Sequence, residues 1–147
     1  MMDHIFELKG SWKGGLSGEG KVETDHLSTD VSIPVSMGGS GIGTNPDELL
    51  VSSSAACYFM TIGLYLERNG IPFEDVKISS KLTVSEEGRL HVESIHHYPV
   101  IYLAEDPDEA MLEKIHSIAH RAEDGCMITR AIKGNVNVIV EPSIKIV

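Results

Sequence analysis

The stretch of sequence that decides the fold lies at residues 44–70 and reads TNPDELLVSSSAACYFMTIGLYLERNG. Asn45 is a good helix cap, and Pro46 suits the first helical position because its missing N–H would have no partner there. Asn69 and Gly70 are typical of a helix end. Apolar residues occupy every face between these caps, which predicts a central helix that is buried all round. They are Leu49, Leu50, Val51, Ala55, Ala56, Cys57, Phe59, Met60, Ile62, Leu64 and Leu66.

A helix without a polar face needs cover on all sides. The rest of a 147-residue chain offers only a few strands and one amphipathic helix for this purpose. We therefore expect a second copy of the chain to complete the cover, in a homodimer with a large apolar interface.

Strands are predicted on both sides of the central helix. Loosely alternating apolar residues with glycine-rich breaks favour antiparallel strands near the start, and a long hairpin turns at Gly88. The last strands are interrupted by Pro142. The predicted strand regions are Ile5 to Val35, Val76 to Val84, Arg89 to Ile101, Val136 to Val140 and Ile144 to Val147.

A second, amphipathic helix is predicted after the hairpin. Asp106 is expected to cap it, with Pro107 as its first residue and Glu109 three residues after the cap. After Gly125 a short turn is expected to carry Cys126 and Arg130. The apolar stripe of this helix comprises Met111, Ile115, Ile118 and Ala122.

The order of these elements is strands, helix, hairpin, helix, strands. Such an order does not alternate regularly enough for a doubly wound parallel sheet, so it indicates an α+β fold. The length of the chain and the absence of a linker or repeat predict a single domain over residues 1–147.

Composition restricts the partners. The chain has 12 basic and 22 acidic residues, a net charge of −10, which repels nucleic acid and anionic lipid surfaces. Its start resembles no secretory signal, and no apolar stretch is expected to reach membrane-spanning length. We therefore expect a cytoplasmic protein with a small or neutral partner, and neither nucleic acid nor membrane as a ligand.

The chain has two cysteines, Cys57 in the central helix and Cys126 after the second helix. A reducing compartment disfavours a permanent structural disulfide, so the thiols are inert core residues, metal ligands or catalytic groups. Burial among apolar residues raises a thiol pKa, and a reactive Cys57 therefore needs a specific activator. If the fold brings the two thiols together, redox chemistry follows.

The residues around both cysteines resemble those of the OsmC/Ohr family, the osmotically inducible and organic-hydroperoxide-resistance proteins. The matching segments are Thr44-Asn45-Pro46-Asp47-Glu48-Leu49, Ala55-Ala56-Cys57, Gly125-Cys126 and Ala131-Ile132-Lys133-Gly134-Asn135-Val136. The element order also agrees over essentially the whole chain. The resemblance implies an intertwined homodimer, with antiparallel strands around buried central helices and active sites at the subunit interface.

The resemblance also implies a reaction. Cys57 would attack an organic hydroperoxide, and Cys126 would resolve the resulting sulfenic acid as a disulfide. A dithiol, for example of the lipoyl type, would be the reductant, and no metal or organic cofactor is implied. Tyr58 and Phe59 flank Cys57 and are expected to help form an apolar substrate pocket. The protein would thus be a stress-response antioxidant enzyme.

One feature of the family pattern is missing. Family members pair an acidic residue of the Asn-Pro motif with an arginine from an early loop, near the reactive sulfur. Asp47 holds the acidic position, but Leu16 stands near the place of the arginine, and Lys13 and Arg130 are the possible substitutes. This departure favours an alternative function, a small-ligand-binding protein of the same fold with weak or no peroxidase activity.

Histidine pairs give weaker signals. His116 and His120 have zinc-compatible spacing, but they point away from the apolar stripe and lack an obvious third ligand, so a solvated face is expected. His96 and His97 are adjacent in a strand and must face opposite sides. Neither pair predicts a metal site.

Overall fold

The structure is a computed structural model that describes residues 1–147. The chain divides into two compact units, residues 1–49 and residues 50–147. The first unit contains a three-stranded antiparallel sheet in the order β1-β2-β3, as predicted from the alternating residues near the start. Its strands are β1 (Lys9–Lys13), β2 (Glu19–Glu23) and β3 (Ser28–Val31), followed by a 3-10 turn at Val35–Met37.

The second unit contains most of the first helix, two further helices and a four-stranded sheet. The α+β class is confirmed. These elements are α1 (Pro46–Arg68, which begins in the first unit), β4 (Asp75–Ser85), β5 (His91–Leu103), α2 (Glu109–Gly125), α3 (Met127–Ile132), β6 (Asn137–Val140) and β7 (Ser143–Ile146).

This sheet is mixed, although antiparallel strands were expected. Strand β5 pairs antiparallel with β4, while β6 and β7 both run parallel to β5 along its other edge. The crossover through α2 and α3 returns the chain to the end of the sheet where β5 begins, which makes parallel pairing possible. Pro142 lies between β6 and β7 and divides what would otherwise be one edge strand.

Helix α1 begins and ends where the sequence predicts. The Glu48 N–H donates to Asn45 Oδ1 at 2.9 Å, and the Asn45 amide donates back to the Glu48 carboxylate at 3.3 Å. The first bond satisfies a backbone N–H that has no partner within the helix, and the second joins the two side chains. At the other end, Gly70 has a φ of 65°, in the left-handed region that favours glycine.

Within the single chain only one face of α1 is buried, so burial on all sides stays a prediction that depends on a second copy. The buried residues recur every four positions and form one stripe: Ser54, Tyr58, Ile62 and Leu66. The stripe packs in one core with Ile115 and Ile118 of α2 and with Ile101 of β5. Apolar side chains on the other faces are exposed, among them Met60 at 67%.

The length of α1 also corrects an expectation. Helix α1 is long and apolar enough to span a membrane by length and composition, contrary to the prediction that no stretch reaches this length. A core helix of a globular protein has the same composition. The packing of its buried stripe against α2 is that of a core helix.

Helix α2 begins two residues later than predicted. Its cap is Asp108, whose Oδ1 accepts from the Met111 N–H at 2.8 Å, whereas Asp106 was the expected cap. Both residues are good caps, and Asp108 has the extended backbone that the cap position requires. Pro107 and Asp108 therefore precede the helix, and Glu109 is its first residue.

Candidate active site

The structure brings the two cysteines together within the second unit. Cys57 lies in α1 and is half-buried, and Cys126 is fully buried at the junction of α2 and α3. The two thiols are free, and each affects the ionisation of the other through a hydrogen-bonding contact. The prediction that the fold could bring Cys57 and Cys126 together is confirmed.

The sulfur of Cys57 has several hydrogen-bond donors around it. Burial has the largest single effect and raises the pKa of Cys57. The Cys126 thiol and the backbone N–H groups of Ile128 and Met127 act in the opposite direction, and together with Thr61 they hold the pKa below its ordinary value. None of these groups is a charged side chain.

The hydroxyl of Thr61 is the remaining donor near Cys57. It donates to the Cys57 carbonyl at 2.7 Å, a bond within α1 from one turn to the previous one. It also lowers the pKa of the Cys57 thiol. Because a hydroxyl has a single proton, these two bonds are alternatives, and ionisation of the sulfur favours the second.

Cys126 is in the opposite electrostatic situation. Burial raises the pKa of its thiol, and the neighbouring Cys57 raises it further. The Cys126 sulfur accepts a hydrogen bond from the Thr129 N–H at 3.4 Å, which only partly offsets these effects. The pair thus favours one proton distribution, with Cys57 as the thiolate and Cys126 as the protonated thiol.

The segment that carries Cys126 is a helix and not the predicted turn. The Cys126 N–H ends α2 by donating to the Ala122 carbonyl at 3.0 Å, and its sulfur caps α3. A six-residue helix is too short to show apolar periodicity, and cysteine is not a usual cap, so no sequence pattern predicts α3. This junction directs the first N–H groups of α3 at the Cys57 sulfur.

None of the residues that the sequence offered for charge activation is among the groups that lower the pKa of Cys57. Asp47 occupies the first turn of α1, and Leu16 is exposed between β1 and β2. Lys13 belongs to β1, and Arg130 is exposed on α3. Thr61, Met127 and Ile128 were missed. Only Thr61 left a signal, because it follows Cys57 by four positions and so shares its helix face.

The two aromatic residues beside Cys57 differ in exposure. Tyr58 is fully buried, and its hydroxyl donates to the Ala119 carbonyl at 2.8 Å, which ties α1 to α2. Phe59 is 38% exposed. In the single chain, Phe59 is therefore the flanking aromatic residue that presents surface to a small molecule.

A buried histidine, His97, stacks against Tyr58. The His97 ring is 5.6 Å from the Tyr58 ring and nearly parallel to it. Its Nε2 is 2.9 Å from the Ser54 hydroxyl and its Nδ1 is 2.6 Å from the Ser80 hydroxyl. Burial lowers the pKa of His97 to about 4, so the ring is neutral. Ser54 is itself fully buried, so the cluster joins α1 to the sheet and offers no accessible nucleophile.

Gly125, the last residue of α2, is expected to fix the position of Cys126. A Cβ at Gly125 would overlap the hydroxyl and ring of Tyr65. Gly125→Ala should therefore displace Tyr65 or the Cys126 backbone, destabilise the protein by about 1–3 kcal/mol and slow disulfide formation between the two cysteines. The measurements are urea unfolding and the rate of thiol loss in diamide.

Gly15→Ala provides the control for this substitution. A Cβ at Gly15 would meet no other atom within 4 Å, so both measurements should match those of the wild type. A wild-type disulfide rate in Gly125→Ala would contradict a positioning role for this glycine.

Comparison with known proteins identifies relatives across the chain. A family model described as OsmC-like protein matches residues 38–141. The chain is 39% identical over 147 residues to the uncharacterized protein YmaD of Bacillus subtilis strain 168, with 99% of this chain and 98% of that protein covered. It is 28% identical over 137 residues to the organic hydroperoxide resistance protein-like 1 of Staphylococcus saprophyticus, with 90% and 92% covered.

A solved structure has the same fold. The crystal structure of an organic hydroperoxide resistance protein OsmC from Legionella pneumophila aligns with a TM-score of 0.74 and 26% identity, and the alignment covers 96% of this chain and 99% of that one. These matches confirm the resemblance inferred from the Asn-Pro and cysteine motifs. The chain belongs to the OsmC-like protein family.

Proposed function

We propose that the protein is a thiol-dependent peroxidase that reduces organic hydroperoxides to alcohols. The observation that carries this proposal is the contact between the Cys57 and Cys126 thiols, with the first N–H groups of α3 at the Cys57 sulfur, which favours ionisation of Cys57 over Cys126. A peroxidase needs a thiolate as nucleophile and a second thiol that stays protonated until it is used. The names of the Staphylococcus and Legionella relatives support the same substrate class.

The reaction has two steps within the protein. The Cys57 thiolate attacks the distal oxygen of ROOH, the O–O bond breaks, and the leaving alkoxide takes a proton to become ROH. Cys57 is then a sulfenic acid. Cys126 loses its proton and attacks the Cys57 sulfur, so the S–S bond forms and hydroxide leaves, protonated to water. A dithiol such as a lipoyl group returns both cysteines to thiols and becomes a disulfide itself.

Each neighbouring group has a role in these steps. The N–H groups of Met127 and Ile128 stabilise the Cys57 thiolate by hydrogen bonds. They take the place of the early-loop arginine, which this chain lacks. Phe59 offers apolar surface to the alkyl part of the hydroperoxide, beside the reactive sulfur. For Asp47 we keep the family's role, an acidic partner near the site. We also propose a cytoplasmic location, where dithiol reductants are maintained.

The direct test uses the reduced protein and tert-butyl hydroperoxide. One equivalent should convert two free thiols into one intrachain disulfide, detected by thiol titration and by the mass of the alkylated chain. Excess dihydrolipoamide should then restore both thiols and sustain turnover. Thiols that remain free after an hour with ten equivalents would contradict the enzyme and favour the alternative, a small-ligand-binding protein with unreactive cysteines.

We further propose that the protein is a homodimer. Helix α1 buries one stripe within the chain and leaves Met60, Leu64 and Phe59 exposed at 67%, 40% and 38%. Covering such a surface with a second copy removes it from water. Light scattering at micromolar concentration should give twice the chain mass of 16.0 kDa. A folded monomer under these conditions would contradict the dimer.

A further inference from the structure

A polar cavity of about 670 Å³ lies beside α3 in the second unit, between the end of α2 and the start of β6. Its size is within the range of small-molecule sites. The lining differs from that of an apolar pocket because it carries both signs of charge. Its charged residues are Glu93, Glu123, Asp124, Arg130 and Lys133, and Thr129 and Asn137 are among its neutral ones.

The charged groups of this cavity are not paired with one another. The one ion pair in the chain joins Lys21 and Glu23, in the first unit. The cations of Arg130 and Lys133 and the carboxylates at the end of α2 therefore line one cavity without a salt bridge across it. Unpaired charges of both signs in one cavity match a ligand that carries both signs itself.

Two side chains of the cavity are partly or fully removed from water. Glu123 is half-buried, and Lys133 is close enough to influence its ionisation. Thr129 is only 9% exposed, and its hydroxyl is buried on the side of Cys126, whose pKa it lowers. The half-buried Glu123 carboxylate is therefore the charged group of the cavity that water screens least.

We propose that this cavity binds a small zwitterion, a molecule with one ammonium and one carboxylate group and about the size of a dipeptide. Glu123 and Asp124 receive the ammonium, and Arg130 and Lys133 receive the carboxylate. Asn137 offers neutral hydrogen bonds between these two ends. The proposal is independent of the peroxidase reaction, because none of its charged residues acts on the Cys57 sulfur.

Isothermal titration calorimetry with L-alanyl-L-alanine tests the class of ligand. The dipeptide should bind the wild-type protein. N-acetyl-L-alanyl-L-alanine, which lacks the ammonium, and L-alanyl-L-alanine amide, which lacks the carboxylate, should each bind at least tenfold more weakly, the loss expected for one charge-assisted contact. Absence of dipeptide binding at millimolar concentration, or equal binding of the three probes, would overturn the proposal.

Variants with matched controls test the place of binding. Lys133→Met and Glu123→Gln should each weaken dipeptide binding at least tenfold. Lys81→Met and Glu113→Gln make the same changes of charge at exposed positions outside the cavity, and should bind like the wild type. Circular dichroism verifies that each variant is folded. Equal affinity of Lys133→Met and Lys81→Met would overturn the assignment to this cavity.

Discussion

Replacing Cys57 with serine is expected to reduce tert-butyl hydroperoxide consumption to the rate of buffer alone. A serine hydroxyl in this position is not ionised at neutral pH, so the attacking group is lost. Replacing Cys126 with serine should leave the first attack intact but stop the reaction at the sulfenic acid of Cys57. Dimedone labelling followed by mass spectrometry should therefore label Cys126→Ser and neither Cys57→Ser nor the wild type.

Cys126→Ala separates the two roles of Cys126. Serine keeps an O–H donor beside the Cys57 sulfur, whereas alanine removes it. Since the Cys126 thiol helps to lower the Cys57 pKa, Cys126→Ala should raise that pKa relative to Cys126→Ser. The pH dependence of iodoacetamide alkylation measures the difference. Peroxide turnover in Cys57→Ser would contradict the mechanism. Identical alkylation profiles of Cys126→Ala and Cys126→Ser would contradict the effect of Cys126 on the Cys57 pKa.

The sequence predicts those parts of the fold that local rules control. Asn45 and Gly70 bound α1 because capping depends on a few neighbouring residues. The same rules leave the first residue of α2 undecided, because Asp106 and Asp108 are both good caps. Only the three-dimensional path of the chain selects one of them. The parallel pairing of β6 with β5 depends on where the crossover returns, which no local pattern encodes.

The activation of Cys57 was the least predictable part of the site. Residue types alone suggest a cationic side chain as the activator, and they offer Lys13 and Arg130. The structure instead uses the backbone N–H groups of Met127 and Ile128, which every residue other than proline possesses. A donor of this kind depends on backbone placement and leaves no signature in the side-chain sequence. The cysteine motifs therefore predicted the thiol pair but not its activators.

The stability of the protein is expected to fall as the pH is lowered from about 6.5 to about 4, because of His97. Burial lowers the pKa of His97 from 6.5 to about 4 in the folded state. Between these values the unfolded chain takes up a proton at this residue and the native protein does not, so lower pH favours unfolding. The loss is at most about 3–4 kcal/mol, since one pKa unit corresponds to about 1.4 kcal/mol. Above pH 6.5 and below pH 4, His97 does not change the free energy of unfolding with pH.

The variants His97→Gln and His96→Gln isolate this contribution. Urea unfolding of each folded variant from pH 4 to pH 7.5 gives the free energy of unfolding as a function of pH. His97→Gln should lose the part of the slope that comes from His97, while His96→Gln, which keeps the buried ring and its two serine contacts, should retain it. Both hydroxyls can rotate to accept from a charged ring, so desolvation and not a missing acceptor is the cause. Parallel curves for the two variants would therefore contradict a neutral, buried His97.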